Sequence, residues 1–341
     1  MNLLRAWNTY VPTHIRRNEF IPVILFVLAI LTFVWLGHMY RYNWRPNTFC
    51  ESEINYRLLT LNKSRIHMLP PTAPRVATGE VLHAADDIYN NECVEVFGPQ
   101  KNGPLLICIH DPRRDLMVSA HLKEEGAWEP ENIEALYQAH QMFPQMVLVD
   151  LGCNVGVFTL PAAQMGMEVI GVDSMMLSLK LLQRSLFING LSCRVTLINN
   201  ALYSKRVPMR VAVDPSNVGG STVMEILENR KDQIKPSQIV DAICLDDLLP
   251  FVQGKDIFLK IDLEGKEEAV LKCAHEFFKN VNIKVLLIEW MYYRHNEEAS
   301  KFIKEFLVSH GLKPTWGVDS DRHIDLYASH SWPDNVFWMK A

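Results

Sequence analysis

The sequence predicts an α/β fold in which a mostly parallel sheet is covered by helices on both faces. The chain has 341 residues and is 48% hydrophobic, which is enough for one large core. From residue 147 onward, short apolar segments alternate with longer segments of helical type. The apolar segments are nearly continuous, which is typical of strands that are buried on both faces. Ligands bind such sheets at the carboxyl ends of the strands.

The predicted elements follow in chain order. An N-terminal extension at 81–145 contains one strand, PLLICIH, and a helix that begins near Glu129-Pro130. The main domain, 146–341, opens with the strand VLVDL, and residues 209–226 are predicted to form a hairpin. The other strands are predicted at 167–173, 194–199, 256–262, 283–290 and 322–329, and the helices at 155–165, 176–188, 266–278 and 297–310.

The first 80 residues differ from the rest. Residues 20–40 contain no Asp, Glu, Lys or Arg, and as a helix they would extend roughly 30 Å, the thickness of a bilayer core. They predict a transmembrane signal-anchor between a tail at 1–19 and a stem at 41–80, with a cleaved signal peptide as the alternative. A slight excess of Arg before the span favours a cytosolic N-terminus, and hence a single-pass type II protein of the Golgi or endoplasmic reticulum.

Charge and cysteine content limit the other classes. The formal net charge is -5, and an acidic chain is not expected to bind nucleic acid. Of the seven cysteines, we expect those in or beside the predicted core elements to be buried thiols: Cys153, Cys193, Cys244 and Cys273. The other three precede the main domain and could pair in an oxidising lumen, in a pattern that the sequence leaves open: Cys50, Cys93 and Cys108. The sequence gives no prediction of the oligomeric state.

The turn after the first strand of the main domain reads Asp150-x-Gly152-x-Asn154-x-Gly156. The two glycines are four residues apart, whereas a dinucleotide loop spaces its glycines by two and then three. A carboxylate at Asp150 would repel a pyrophosphate but suits a cationic group, such as the amino end of S-adenosylmethionine. Asp173 closes the next strand, where an acid can accept hydrogen bonds from ribose hydroxyls. The alternative is that both acids cap the helices that follow them.

At this point the chain resembles a known family. VDLGCNVGVFTL resembles motif I of class I S-adenosylmethionine-dependent methyltransferases, and the wider pattern resembles the FkbM family. The segments that carry the wider resemblance are DLMVSAHLKEEGAWEPE, GGSTV, CLDDLL, LKIDLEG and LLIEW, within about residues 105–340. The departure is Cys153, where the family usually has Ala, and a small side chain is kept. The resemblance implies a Rossmann-like fold with a seven-stranded sheet, S-adenosylmethionine as cofactor, and O-methylation of a hydroxyl on a glycan or other small acceptor.

The resemblance also implies roles for particular residues. The loop residues that would surround the methionine end of the cofactor are Asp150, Gly152, Asn154 and Gly156. Asp173 would bind the ribose, and Asn200-Ala201 would lie near the adenine. Ser119 and Glu129 would close over the cofactor from the extension, although Glu129-Pro130 is also a good helix start.

The LKIDLEG segment carries the candidate chemistry. Asp262 should end a strand beside the methyl group, and it is the first candidate for the base that takes the acceptor proton. Glu289 ends the next strand and is the second candidate. Glu264 is interpreted as a favourable charge at a helix start, and Lys260 as a packed side chain. No metal is predicted, although three carboxylates could hold Mg²⁺ instead.

Two other functions stay open at this point. The chain could be a non-catalytic binding protein that keeps the cofactor fold, or a methyltransferase that acts on a protein or lipid. Fold alone does not decide between them.

Overall fold

The structure, a computed structural model, describes residues 65–69, 91–97, 103–227, 233–318 and 321–340. Contacts divide the chain into two units, Met1–Phe49 and Cys50–Ala341, and all the described residues belong to the second. No helix among the described residues is long and apolar enough to cross a membrane. The span predicted at 20–40 lies outside the described residues, as do the predicted tail and most of the stem.

The described residues form thirteen strands and eight α-helices. The strands are β1 (Cys93–Phe97), β2 (Pro104–Cys108), β3 (Val147–Leu151), β4 (Val169–Asp173), β5 (Val195–Asn199), β6 (Ala201–Leu202), β7 (Pro208–Ala212), β8 (Thr222–Glu225), β9 (Ile239–Ile243), β10 (Asp256–Ile261), β11 (Asn282–Glu289), β12 (Leu312–Thr315) and β13 (Asn335–Lys340). The helices are α1 (Val118–Glu125), α2 (Pro130–Met142), α3 (Thr159–Gln164), α4 (Met176–Ile188), α5 (Leu249–Val252), α6 (Glu267–Leu271), α7 (His275–Asn280) and α8 (Glu297–Ser309).

The central sheet has seven strands in the order β12-β13-β11-β10-β3-β4-β5. The run from β11 to β5 is parallel throughout, and β13 is antiparallel to both of its neighbours. The predicted mostly parallel, Rossmann-like sheet is therefore confirmed. Because the parallel strands all point the same way, their carboxyl ends meet at one edge of the sheet, which is where such folds bind ligands.

Alternating side chains of the strands enter two different cores. All five side chains of β3 are buried. Val147 and Val149 belong to a core that includes residues of α6, α7 and α8. Leu148 belongs to a second core, which includes residues of α2, α3 and α4. Helices therefore cover both faces of the sheet, which explains why the strands read as continuous apolar runs.

Two smaller sheets complete the fold. β1 and β2 pair antiparallel, and a four-stranded sheet has the order β6-β9-β7-β8. The hairpin predicted at 209–226 is confirmed by the antiparallel pairing of β7 with β8. Residues 65–69 add a short extended segment along β5, through a bridge between Met68 and Ile198, so the edge of the central sheet is partly covered.

Two element predictions, one near each end of the main domain, were wrong in detail. The helix predicted at 155–165 begins only at Thr159, because Asn154 and Gly156 have φ of 46° and 97°, which are not helical values. The strand predicted at 322–329 does not form. Its residues lead into a 3₁₀ helix, Leu326–Ser331, whose start is fixed by the Asp325 carboxylate accepting from the Tyr327 N–H. The last strand is instead β13, and β12 was missed.

One further helix prediction and most of the cysteine predictions also need correction. The helix predicted at 266–278 is split into α6 and α7, and Cys273 in the break forms a disulfide with Cys244. Cys193 is disulfide-bonded as well, so three of the four predicted buried thiols are not thiols. Cys153 is the free, buried cysteine of the described residues. Cys93 and Cys108, which face each other across β1 and β2, form a disulfide.

Candidate active site

A cavity of about 390 Å³ opens at the carboxyl edge of the central sheet. Ile261, the last residue of β10, pairs with Leu151 of β3 on one side and with Ile288 of β11 on the other. The residues that follow these positions therefore lie side by side: Asp262, Gly152 and Glu289. All three line the cavity.

A buried lysine lies at the floor of this cavity. Lys260 is only 5% exposed, and its Nζ donates to Asp262 Oδ2 at 2.8 Å. The same Nζ lies 3.8 Å from Asp150 Oδ1 and 5.0 Å from the centre of the Phe158 ring. The strand register explains the grouping, since Lys260 pairs with Asp150 across β10 and β3. Lys260 is therefore packed as expected, and its ammonium group is in addition ion-paired with acids of the cavity.

The pKa values of Lys260 and the acids around it depend on one another. Burial works against the charge of Lys260, but Asp262, Asp150 and Glu129 together hold its pKa above the ordinary value. Burial raises the pKa of Asp150, although Lys260 and a hydrogen bond from the Thr159 hydroxyl at 2.7 Å work in the opposite direction. Asp150 Oδ1 has no hydrogen-bond partner among the described residues.

The motif loop owes its glycines mostly to packing. A side chain at Gly152 would lie 1.8 Å from the carbonyl oxygen of Asp262, and one at Gly156 would lie 2.2 Å from Leu182 Cδ1. Gly152 lines the cavity, whereas Gly156 does not, so the structure does not place Gly156 at the predicted cofactor site. Asn154 lines the cavity in a left-handed conformation, and its buried Oδ1 has no partner among the described residues.

The far side of the cavity is formed by residues at the ends of β4 and β5. Asp173 accepts hydrogen bonds from the backbone N–H groups of Asn154 and Met175, and burial raises its pKa to about 6. Asn200 and Ala201 also line the cavity. The Asn200 side-chain amide is occupied, however, because it bonds to backbone groups of Arg65, His67 and Asp241.

Of the two residues of the N-terminal extension that were predicted to contact the cofactor, one lines the cavity. Glu129 lines the cavity, where its carboxylate accepts from the side chains of Asn132 and Asn335. Burial raises its pKa. Ser119 does not line the cavity. Its hydroxyl is fully buried and donates to the carboxylate of Asp115, which was not predicted.

The acids that follow β10 and β11 form the other side. Glu264 has φ of 53° and accepts a hydrogen bond from the Tyr292 hydroxyl. It precedes α6 by three residues, as expected, and it also lines the cavity. Glu289 pairs with Asn335 across β11 and β13 and is buried.

The cavity is strongly acidic. Seven carboxylate residues line it: Glu129, Asp150, Asp173, Asp262, Glu264, Glu289 and Asp334. Among the described residues, two cationic residues line it with them, Lys260 and Lys266. Asp150 and Asn154 each have an oxygen without a hydrogen-bond partner among the described residues, and together with the excess of acids this fits a cationic ligand such as S-adenosylmethionine. No group of three or more His, Cys, Asp or Glu in the described part of the chain is arranged to hold a metal ion.

Comparison with protein families agrees with this geometry. Residues 115–314 match the methyltransferase FkbM domain. The chain belongs to the FkbM methyltransferase family. The family is S-adenosylmethionine-dependent, so the predicted cofactor is the cofactor of the family. No curated protein matches the chain.

Several solved structures resemble this chain at low sequence identity. The T. thermophilus 16S rRNA methyltransferase is 14% identical with a TM-score of 0.39, over 73% of this chain and 50% of that chain, so the match spans half the length of that relative. The magnesium protoporphyrin IX methyltransferase of Synechocystis is 13% identical, over 61% of this chain and 76% of that chain, with a TM-score of 0.35. The O-methyltransferase of Bacillus cereus is 11% identical, over 65% of this chain and 86% of that chain, with a TM-score of 0.36.

Sequence reasoning missed several residues of this cavity. The missed residues that line the cavity include Met117, Trp128, Asn217, Lys260, Tyr292 and Asn335. Two of them could have been found from their position next to a strand end, because Tyr292 follows β11 closely and Asn335 is the first residue of β13. Trp128 and Asn217 come from loops whose approach to the cavity depends on the tertiary fold.

Proposed function

We propose that the protein is an O-methyltransferase that transfers a methyl group from S-adenosylmethionine to a hydroxyl of a glycan or other small acceptor. The observation that carries this proposal is the acid-lined cavity at the strand ends, with Asp262 held at its floor by Lys260. The family supports the methyl transfer, and the choice of a hydroxyl acceptor comes from the resemblance.

The cofactor half of the cavity would be the half that follows β3, β4 and β5. Asp150 and Asn154 each have an oxygen without a hydrogen-bond partner among the described residues, and these oxygens are suited to bind the ammonium group of the cofactor. Asp173 has room for the ribose hydroxyls beside its two backbone bonds, and Ala201 is suited to contact the adenine. When bound, S-adenosylmethionine supplies an activated methyl group on a positively charged sulfur.

Asp262 would take the proton of the acceptor hydroxyl. Its side chain is 29% exposed, so one side can face an acceptor while Oδ2 accepts from Lys260. The lysine fixes the orientation of the carboxylate, which is a requirement for a general base that acts at a defined position.

The test is an acceptor screen with labelled S-adenosylmethionine on microsomal extracts. We expect label in a hydroxylated small-molecule or glycan fraction. Binding of the cofactor without any labelled product would favour the non-catalytic alternative. Label confined to protein or to lipid would favour the other class of acceptor.

We also propose that a helix at 20–40 anchors the protein in a Golgi or endoplasmic reticulum membrane, with the domain in the lumen. The disulfides Cys93–Cys108 and Cys244–Cys273 support this proposal, because disulfides persist in oxidising compartments. In intact microsomes the domain should resist protease and should be digested after detergent is added. Digestion before detergent would contradict the lumenal placement.

A further inference from the structure

Glu289 is a buried acid for which the proposed chemistry has no use. It is 9% exposed, lines the cavity, and has a carboxylate oxygen, Oε2, with no hydrogen-bond partner among the described residues. Asp262, the proposed base, lies beside Glu289 at the end of β10. Glu289 therefore lines the site with a carboxyl group that has one oxygen without a hydrogen-bond partner among the described residues.

The charges that face Glu289 are mostly negative. Asp262 lies on one side, and Glu264 and Glu267 follow in the next turn and in α6, while the charge of Lys260 opposes theirs. Lys260 already donates to Asp262 at 2.8 Å. On the other side, β13 places the uncharged Asn335 opposite Glu289. Burial first, and then these acids, raise the pKa of Glu289 to about 11.

We propose that Glu289 is the acceptor-recognition residue of the cavity, and that its neutral carboxyl group donates a hydrogen bond to an oxygen of an uncharged acceptor. A protonated carboxyl has one O–H to donate, and no described residue forms a hydrogen bond with Oε2. The proposal rests on the proposed function and removes Glu289 from the candidates for the base.

The surroundings of Glu289 fit an uncharged acceptor with an apolar side. Met117, Met291 and Tyr292 line the cavity and are exposed, so the entrance is apolar. Asn335 offers a further polar group that carries no charge. A phosphate, sulfate or carboxylate on the acceptor would meet Asp262, Glu264 and Asp334, which would repel it.

Infrared difference spectroscopy tests the state of Glu289 without any acceptor. At about pH 8, the spectrum of the full-length wild type minus that of Glu289→Gln should contain the C=O stretch of a protonated carboxyl. The control is Glu168→Gln, because Glu168 is ion-paired with Lys255 and its difference spectrum should show an ionised carboxylate. A carboxylate band for Glu289 would overturn the proposal and would leave the proposed methyl transfer standing.

Anion exchange tests the class of acceptor. Labelled small-molecule products of the microsomal screen should appear in the uncharged fraction, and label in the anionic fraction would overturn the proposal. Glu289→Met, which has no donor, should lower this label at least tenfold more than Glu289→Gln, whose amide still donates. Equal losses in the two variants would also overturn it. A screen with no labelled product would contradict the proposed function, and the infrared result would still decide the state of Glu289.

Discussion

At the scale of single residues, the site depends on the buried Lys260. Its ammonium group lies among Asp150, Asp262 and Glu129, which belong to three different segments of the chain. The sequence shows a lysine between two apolar residues of a strand, which does not distinguish a packed side chain from an ion pair. The distinction requires the strand order, because only the pairing of β10 with β3 brings Lys260 next to Asp150.

Lys260→Met should destabilise the protein by about 3–5 kcal/mol, because it leaves buried carboxylates without their counter-charge. The control is Lys255→Met, immediately before the same strand. Lys255 is partly exposed and pairs with Glu168, so its loss should cost only about 0–1 kcal/mol. Urea denaturation measures both variants. Equal effects would show that the buried ion pair does not hold the floor of the cavity.

Asp262→Asn should separate turnover from cofactor binding. The substitution keeps the size of the side chain and removes the basic charge, so turnover should fall about 10²–10⁴-fold. The affinity for S-adenosylmethionine should change much less, because Asp150 and Asp173 are both retained. Turnover on the acceptor from the screen and calorimetry with the cofactor measure the two quantities. If both fall together, Asp262 is a cofactor or structural residue.

At the scale of elements, most of the alternating strands and helices could be predicted because their apolar runs are long and periodic. β3, β4, β10 and α4 lie where the sequence pattern places them. The break between α6 and α7 could not be predicted, because it accompanies a disulfide between residues 29 apart. β12 contains Pro314 and lies at the edge of the sheet, where a strand can tolerate proline but is hard to recognise.

Gly152→Ala should test the contact between the turns that follow β3 and β10. Gly152 and Gly103 both have φ of 81°, but a side chain would meet the Asp262 carbonyl at Gly152 and nothing within 4 Å at Gly103. Gly103→Ala should therefore cost about 1–2 kcal/mol from backbone strain. Gly152→Ala should cost roughly 1–3 kcal/mol more, because the turns must separate. Thermal denaturation compares them, and equal losses would contradict the close approach.

At the scale of the whole molecule, the charge of the cavity comes from segments far apart in sequence. Glu129, Asp150, Asp173, Asp262 and Glu289 lie within the extension or at strand ends, and the topology brings them together. The sequence could predict each of these residues from its position in a motif. It could not predict how far they crowd one another, because that depends on strand order and burial.

This crowding predicts how stability depends on pH. Burial raises the pKa of Asp173 to about 6, of Glu267 to about 7 and of Glu289 to about 11. An acid with a raised pKa in the folded state takes up a proton on folding, so its contribution is fully present below the unfolded pKa and is lost as pH rises through the folded pKa. The protein without cofactor should therefore become less stable between about pH 4.5 and 7, although His110, whose pKa burial lowers, opposes this trend.

A cationic cofactor should offset the same loss. The increase in melting temperature on adding S-adenosylmethionine should be larger at pH 8 than at pH 5, because more of the cavity acids are ionised at the higher pH. Thermal denaturation at several pH values, with and without the cofactor, measures this. A melting temperature that rises steadily from pH 5 to 7 without cofactor would contradict the account.

The most direct test of the central claim is calorimetric titration of the full-length protein with S-adenosylmethionine. The account predicts binding to the wild type and an affinity at least about tenfold lower in Asp150→Asn, since a hydrogen bond to a charged group contributes about 1.5–3 kcal/mol. Asp111→Asn is the control, because Asp111 pairs with Arg113 and does not line the cavity, so its affinity should match the wild type. No binding to the wild type, or equal affinities in all three proteins, would contradict the assignment of this cavity as the cofactor site.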